Sequence, residues 1–211
     1  MSLYLSRLIL NPRSRQVTSE LADAYQMHRT LMRAFPSQEA GGPGRVLFRV
    51  DTDMYSYPVI LVQSDKEPDW GFLSERIYLA DIQDSLTYKP YNPIFREGQR
   101  LRFLLRANPT VRKIFEDGKP GRRIGLCKEA EQTEWFKRKG ECGGFHADSF
   151  SILPNGKQIS RREGQSNTHV SVVFTGVLTV TDPELFRNTL ESGIGSAKGF
   201  GFGLLSIAPI R

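Results

Sequence analysis

Apolar and polar positions alternate with a strand period at several places along this chain. Leu3 to Leu10 reads as a first strand, ended by Asn11-Pro12. Asp23-Ala-Tyr-Gln26 has the form of a helix-capping box with Asp in place of Ser or Thr, and predicts a helix that runs to Phe35 and stops at Pro36. A Gly41-Gly-Pro-Gly44 connection leads to strands at Arg45–Val50 and Pro58–Gln63, followed by a weaker helical stretch at Phe72–Ala80. Gln99–Ala107 alternates cleanly, with Leu101, Phe103, Leu105 and Ala107 on one face and Arg100, Arg102 and Arg106 on the other. This half therefore reads β-α-β-β-α-β.

The second half repeats the order. A short strand at Arg122–Cys127 precedes a helix from Lys128 to Lys139, ended at Gly140. Strands near 145–152 and 157–162 flank Pro154-Asn155-Gly156, an Asn-Gly hairpin signal. Val170–Thr181 is strand-like, Pro183 starts a helix to Glu191, and a glycine-rich loop feeds a last strand at Leu204–Ala208. The order predicts an α+β protein of two tandem ferredoxin-like (βαββαβ, RRM-like) domains, residues 1–110 and 118–211. No residue-level repeat accompanies it.

The glycine-rich loop contains Gly193, Gly195, Gly199, Gly201 and Gly203, with Lys198 among them. Lys198 stands where Gly-x-Gly-x-x-Gly needs its third glycine, and it precedes its glycine where a P-loop needs Gly-Lys-Ser/Thr opening a helix. A mononucleotide pocket is therefore not indicated. Two readings remain: a tight structural turn, or a backbone corner facing a polyanion with Lys198 in contact.

With 211 residues the chain suits one large domain or two smaller ones. Lysine and arginine number 29 against 23 acidic residues, a net charge of +6 that favours an anionic partner. No apolar run is long enough to span a membrane, no signal peptide is evident, and two cysteines imply no disulfide framework; the expected compartment is the cytoplasm.

Candidate chemistry centres on the first helix. Tyr25 and His28 lie three residues apart and share a face. His28 falls on the apolar side, among Leu21, Ala24, Leu31, Met32 and Phe35, so periodicity alone favours a buried structural histidine. Its place in the first turns, where phosphate is attracted, and the following Arg29 and Arg33 argue for a role on RNA. A histidine titrating near neutrality exchanges protons with a 2′-hydroxyl or a leaving 5′-oxygen. Cys127, Cys142 and His146 lack paired metal-ligand spacing, and no metal or other cofactor is expected. Lys157, Arg161 and Arg162 form a basic cluster on the second arm of the expected hairpin; it can track phosphates or be a solvated surface.

Five segments together resemble the CasE family, the CRISPR repeat-processing endoribonucleases of the type I-E Cascade complex within the RAMP superfamily. They are Leu3-Tyr-Leu-Ser-Arg-Leu-Ile-Leu10, Tyr25-Gln-Met-His-Arg-Thr-Leu31, Leu101-Arg-Phe-Leu-Leu-Arg-Ala-Asn-Pro109, Lys128-Glu-Ala-Glu-Gln132 with Trp135, and Gly176–Val180 through Gly193–Lys198 to Gly203–Pro209. The resemblance implies a metal-independent nuclease that binds the stem-loop of the CRISPR repeat and cuts at the 3′ base of the stem. The products would be a 2′,3′-cyclic phosphate and a 5′-hydroxyl. It implies catalysis by His28 with Tyr25 assisting, and RNA contacts from Arg29 and Arg33. The basic hairpin matches more loosely. Gly193, Gly195, Gly199 and Gly201 are expected near the RNA backbone. A protein of this kind is monomeric when isolated, keeps its product, and joins other Cascade subunits without a membrane partner. The alternative is a non-catalytic RNA-binding scaffold of the same fold; a binder of acidic protein or membrane surfaces rests on net charge alone.

Overall fold

A computed structural model describes residues 3–52, 56–74, 77–113, 121–162 and 165–210. The chain divides into two compact units, one built from the residues up to Pro93 together with 159–167 and 198–201, the other from the remainder.

In the first unit, β1 (Leu3–Ile9), β2 (Val46–Thr52), β3 (Pro58–Ser64) and β4 (Leu86–Tyr91) form an antiparallel sheet in the order β2-β3-β1-β4. Two helices, α1 (Arg15–Ala22) and α2 (Ala24–Met32), connect β1 to β2, and one helical turn, α3 (Gly71–Ser74), follows β3. The strand adjacencies (fourth to first, first to third, third to second) are those of a ferredoxin-like domain. The sheet's apolar face gathers Leu8, Phe48, Ile60 and Val62 against Val17, Met27 and Leu31 of the helices. Trp70 and Tyr78 complete this core. Trp70 Nε1 donates to the buried Ser6 hydroxyl at 3.0 Å, so neither polar group is left unpaired.

The second unit holds β5 (Arg100–Ala107), β6 (Thr110–Lys113), β7 (Arg122–Gly125), α4 (Glu129–Glu141), most of β8 (Phe145–Arg162) and β9 (Gln165–Val180), α5 (Pro183–Ser192) and β10 (Leu205–Pro209). Its sheet runs β10-β5-β9-β8, the same adjacencies again, while β6 and β7 pair as a separate ribbon. Phe136 of α4 lies at the centre of the core, with ring centroids 5.2 Å from Phe103, 4.7 Å from Phe174 and 5.8 Å from Phe145. The α+β class with two ferredoxin-like domains is as the element order anticipates.

Several expected elements lie elsewhere. The alternating strand at residues 100–107 does not close the first sheet: it pairs with β9 and β10 and is the first strand of the second. The first sheet is closed by β4, a mostly exposed edge strand with no buried side chain and with Pro90 in its run, a residue that argues against a strand when read locally. The chain therefore divides after Pro93 rather than near residue 110. Residues 122–125 lie in the β6–β7 ribbon, not in the main sheet. The helix expected over Phe72–Ala80 is the single turn of α3. β8 passes straight through Pro154-Asn155-Gly156, with Gly156 at φ 71° inside the strand, so Lys157 shares one strand with Phe145 instead of lying across a turn from it. The expected helix from Asp23 is α2, preceded by an unforeseen α1 whose first turn is capped by Ser14, its hydroxyl accepting the Val17 N–H at 3.5 Å.

Candidate RNA-cleavage site

Asp23 lies between α1 and α2, and its extended backbone lets one residue end one helix and start the next. Its N–H donates to the Glu20 carbonyl at 3.2 Å, and its carboxylate accepts the Tyr25 N–H at 3.0 Å. Met27 and Leu31 then face the core, which brings His28 to its margin. Thr30 ties this helix to α1: its hydroxyl donates to Glu20 Oε1 at 2.7 Å, while Tyr78 donates to Glu20 Oε2 at 2.6 Å.

His28 is half-buried, and its Nδ1 is buried without a hydrogen-bond partner among the described residues. Burial lowers its pKa below the ordinary 6.5, because desolvation disfavours the imidazolium. The ring lies against the short 3-10 turn Lys198–Phe200, where a methyl group added at Gly199 would sit 3.6 Å from Cε1.

Beside it opens a cleft of about 570 Å³, lined by His28, Arg29, Met32 and Arg33, by Lys198 and Gly199, and by residues 35–38 and 43–46. Four of the lining residues are cations (Arg29, Arg33, Arg45 and Lys198) and none is acidic. A concave surface of this composition concentrates polyanions. Arg33 at the end of α2 holds its guanidinium 4.5 Å over the Phe72 ring, and Arg29 donates to Gln26 at 3.4 Å.

Of the residues singled out in the sequence, His28, Arg29, Arg33, Lys198 and Gly199 meet at this cleft. Tyr25 is half-buried on the same helix but does not line it. The other glycines have conformational work to do. Gly193 ends α5 at φ 74° with its N–H on the Thr189 carbonyl, Gly195 has φ 86° against Trp135, and Gly201 has φ 83° with its Cα facing the Phe48 ring. Each conformation disfavours a side chain, which explains these glycines without RNA. Lys157 is exposed on β8 and is not a cleft residue, and the side chains of Arg161 and Arg162 lie outside the described residues. Cys127 and Cys142 are both exposed thiols, and among the described residues no group of three His, Cys, Asp or Glu side chains could hold a metal ion. Sequence reasoning missed Arg45 and the 37–44 segment, read there only as a connector; its glycine density was the available signal.

The chain matches the family model described as CRISPR associated protein over residues 3–209. It is 37% identical to the CRISPR-associated endoribonuclease Cse3 of Thermus thermophilus over 221 residues, covering 98% of this chain and 100% of that protein. It is 30% identical over 216 residues to the CRISPR system Cascade subunit CasE of Escherichia coli, covering 99% and 100% respectively. The fold superposes with a TM-score of 0.85 on Thermus thermophilus Cse3 bound to an RNA representing a pre-cleavage complex, at 37% identity, with 99% of this chain and 100% of that one covered. No helix among the described residues is long and apolar enough to cross a membrane.

Proposed function

The chain belongs to the CRISPR-associated protein family, and from that membership we propose that it is an endoribonuclease that processes CRISPR repeat RNA and stays on its product as a Cascade subunit. The observation that carries the proposal is the position of His28 at the edge of an acid-free cleft bearing four cations. The repeat's stem-loop is the substrate, and the cut falls at the 3′ base of the stem. The nucleotide's own 2′-hydroxyl attacks the phosphorus while its proton passes to His28, at Nε2, since Nδ1 is buried. The P–O5′ bond breaks, the 5′-oxygen takes up a proton, and a 2′,3′-cyclic phosphate and a 5′-hydroxyl remain. Arg29, Arg33 and Lys198 hold the phosphate backbone and balance the charge that develops at phosphorus. Tyr25 acts, if RNA binding turns it toward the cleft, as a hydrogen-bond donor to that charge. Lys157, Arg161 and Arg162 hold the stem. No step uses a metal, and the cytoplasm, where precursor RNA is made, is the compartment this reading requires.

The test is single-turnover cleavage of the organism's own repeat hairpin in EDTA. His28→Ala is expected to abolish cleavage while binding persists; cutting at the unmodified rate removes His28 from the chemistry. The lack of a partner on Nδ1 among the described residues also suits a structural histidine in a non-catalytic RNA scaffold. Tight binding by the unaltered protein with sustained absence of cleavage would favour that second reading.

A further inference from the structure

The reaction proposed above uses only some of the residues that line the cleft. Residues 36–38 and 43–45 also line it, in a connection between α2 and β2 that is held by hydrogen bonds at its middle. Lys66 Nζ donates to the carbonyl oxygens of Gly41 at 3.1 Å and Gly42 at 2.6 Å. The Arg45 N–H donates to Asp65 Oδ2 at 2.9 Å, and the Gly42 N–H to the Ser37 carbonyl at 2.8 Å. Gly41, Gly42 and Gly44 have φ of 90°, 72° and 70°, and any side chain at Gly44 would collide with the Asp65 carboxylate. Surface connections ordinarily tolerate variation and motion. This one is anchored from both sides.

The chemistry of the wall is mixed in a particular way. Met32, Phe35 and Pro43 give it an apolar floor; Gln38 and Ser37 stand at its edge; Arg45 supplies a guanidinium. The Gln38 carboxamide, a donor and an acceptor in one group, lies over the loop beside Gly42. A phosphate alone needs only the cation. An unpaired nucleotide has a flat apolar face, a hydrogen-bonding edge and a phosphate together, and single-stranded RNA is read by splaying such bases into pockets.

We infer that residues 36–38 and 43–45, with Met32, form a subsite for one unpaired nucleotide, the one immediately 3′ to the scissile phosphate. Its base lies on Met32 and Pro43 with its edge on Gln38, and its 3′ phosphate meets Arg45. The assignment rests on the reading that the cut falls at the 3′ base of a stem: the nucleotide before the cut is then paired and stacked, and only the one after it is free to swing out.

The experiment uses the full chain and the repeat hairpin with an abasic residue at the first or the second position 3′ to the cut. Loss of the first base should slow single-turnover cleavage about tenfold or more, the scale of one base contact, and loss of the second should change little. Gln38→Ala should slow cleavage of the intact RNA comparably and add nothing on the first abasic RNA. Cleavage of that abasic RNA at the intact rate, or losses that multiply, overturns the subsite and leaves at most a phosphate contact. A second measurement is independent of catalysis. In hairpin RNA with a 2′-deoxy sugar at the attacking position and 2-aminopurine immediately 3′ to the cut, binding should raise the fluorescence with the unaltered protein and not with Gln38→Ala. No change with the unaltered protein overturns the subsite. The same rise, together with no cleavage of the all-ribose hairpin, keeps the subsite and removes the nuclease reading.

Discussion

The His28 imidazole packs on the backbone of Gly199, close enough that a methyl group there would lie 3.6 Å from Cε1 and 3.7 Å from Nδ1. That is ordinary van der Waals contact, so Gly199→Ala is expected to leave stability nearly unchanged. Its effect should fall on RNA binding, because the added methyl lies against the His28 ring inside the cleft. Gly201→Ala is the contrast: φ is 83° and the added Cβ would lie 3.2 Å from the Phe48 ring. It should cost about 1–3 kcal/mol. Denaturant unfolding and RNA titration of both variants check the pair; a Gly199→Ala protein as destabilised as Gly201→Ala refutes the distinction.

The pH dependence follows from burial at His28. Its folded pKa lies below 6.5, so the neutral ring is favoured in the folded protein. The associated stability is present above the unfolded value of about 6.5 and is lost as pH falls through the folded pKa. Cleavage that needs the neutral ring as a base should therefore hold its kcat/KM below pH 6.5 before the acid limb falls. A limb at or above the ordinary histidine value counts against this assignment. Burial lowers His169 in the same direction, so His169→Gln serves as the control and should leave the limb where it is.

Glu20 joins α1 to the helix that carries His28, accepting hydrogen bonds from Gln16 at 2.8 Å, Thr30 at 2.7 Å and Tyr78 at 2.6 Å. Burial, and the hydrogen bond and charge of Glu20, raise the Tyr78 pKa and keep its proton in place. Tyr78→Phe strips one donor from a buried carboxylate and is expected to destabilise the fold by about 1–3 kcal/mol. Chemical denaturation reads this directly. A loss under a few tenths of a kcal/mol would mean that water replaces the phenol.

Arg29 is exposed on α2 and faces the cleft. Arg29→Ala should weaken RNA binding evenly across sequences and reduce the slope of log affinity against log salt by about 0.7 to 1. Arg33→Ala also removes the guanidinium stacked on Phe72, so it should lose stability as well as affinity. An unchanged salt slope for Arg29→Ala removes it from the phosphate contacts.

Alternation and helical period are local properties, and they were enough to identify most strands, the helices α2, α4 and α5, the α+β class, and His28 and the glycine-rich loop as two separate candidates. They could not say which sheet a strand joins. Leu101, Phe103, Leu105 and Ala107 read as a buried face in either half, and only pairing with β9 and β10 and stacking on Phe136 places that strand in the second sheet. β4 is edge-exposed and contains Pro90, which argues against a strand when read locally. The same limit governed His28. Helical period put it on the apolar side of α2, whereas the packing of residues 198–200 against that side decides that the ring is half-buried at the rim of a cleft. Arg45, Gln38 and Pro43 join Lys198 there across more than 150 residues of chain, a proximity set by tertiary packing and absent from any local window.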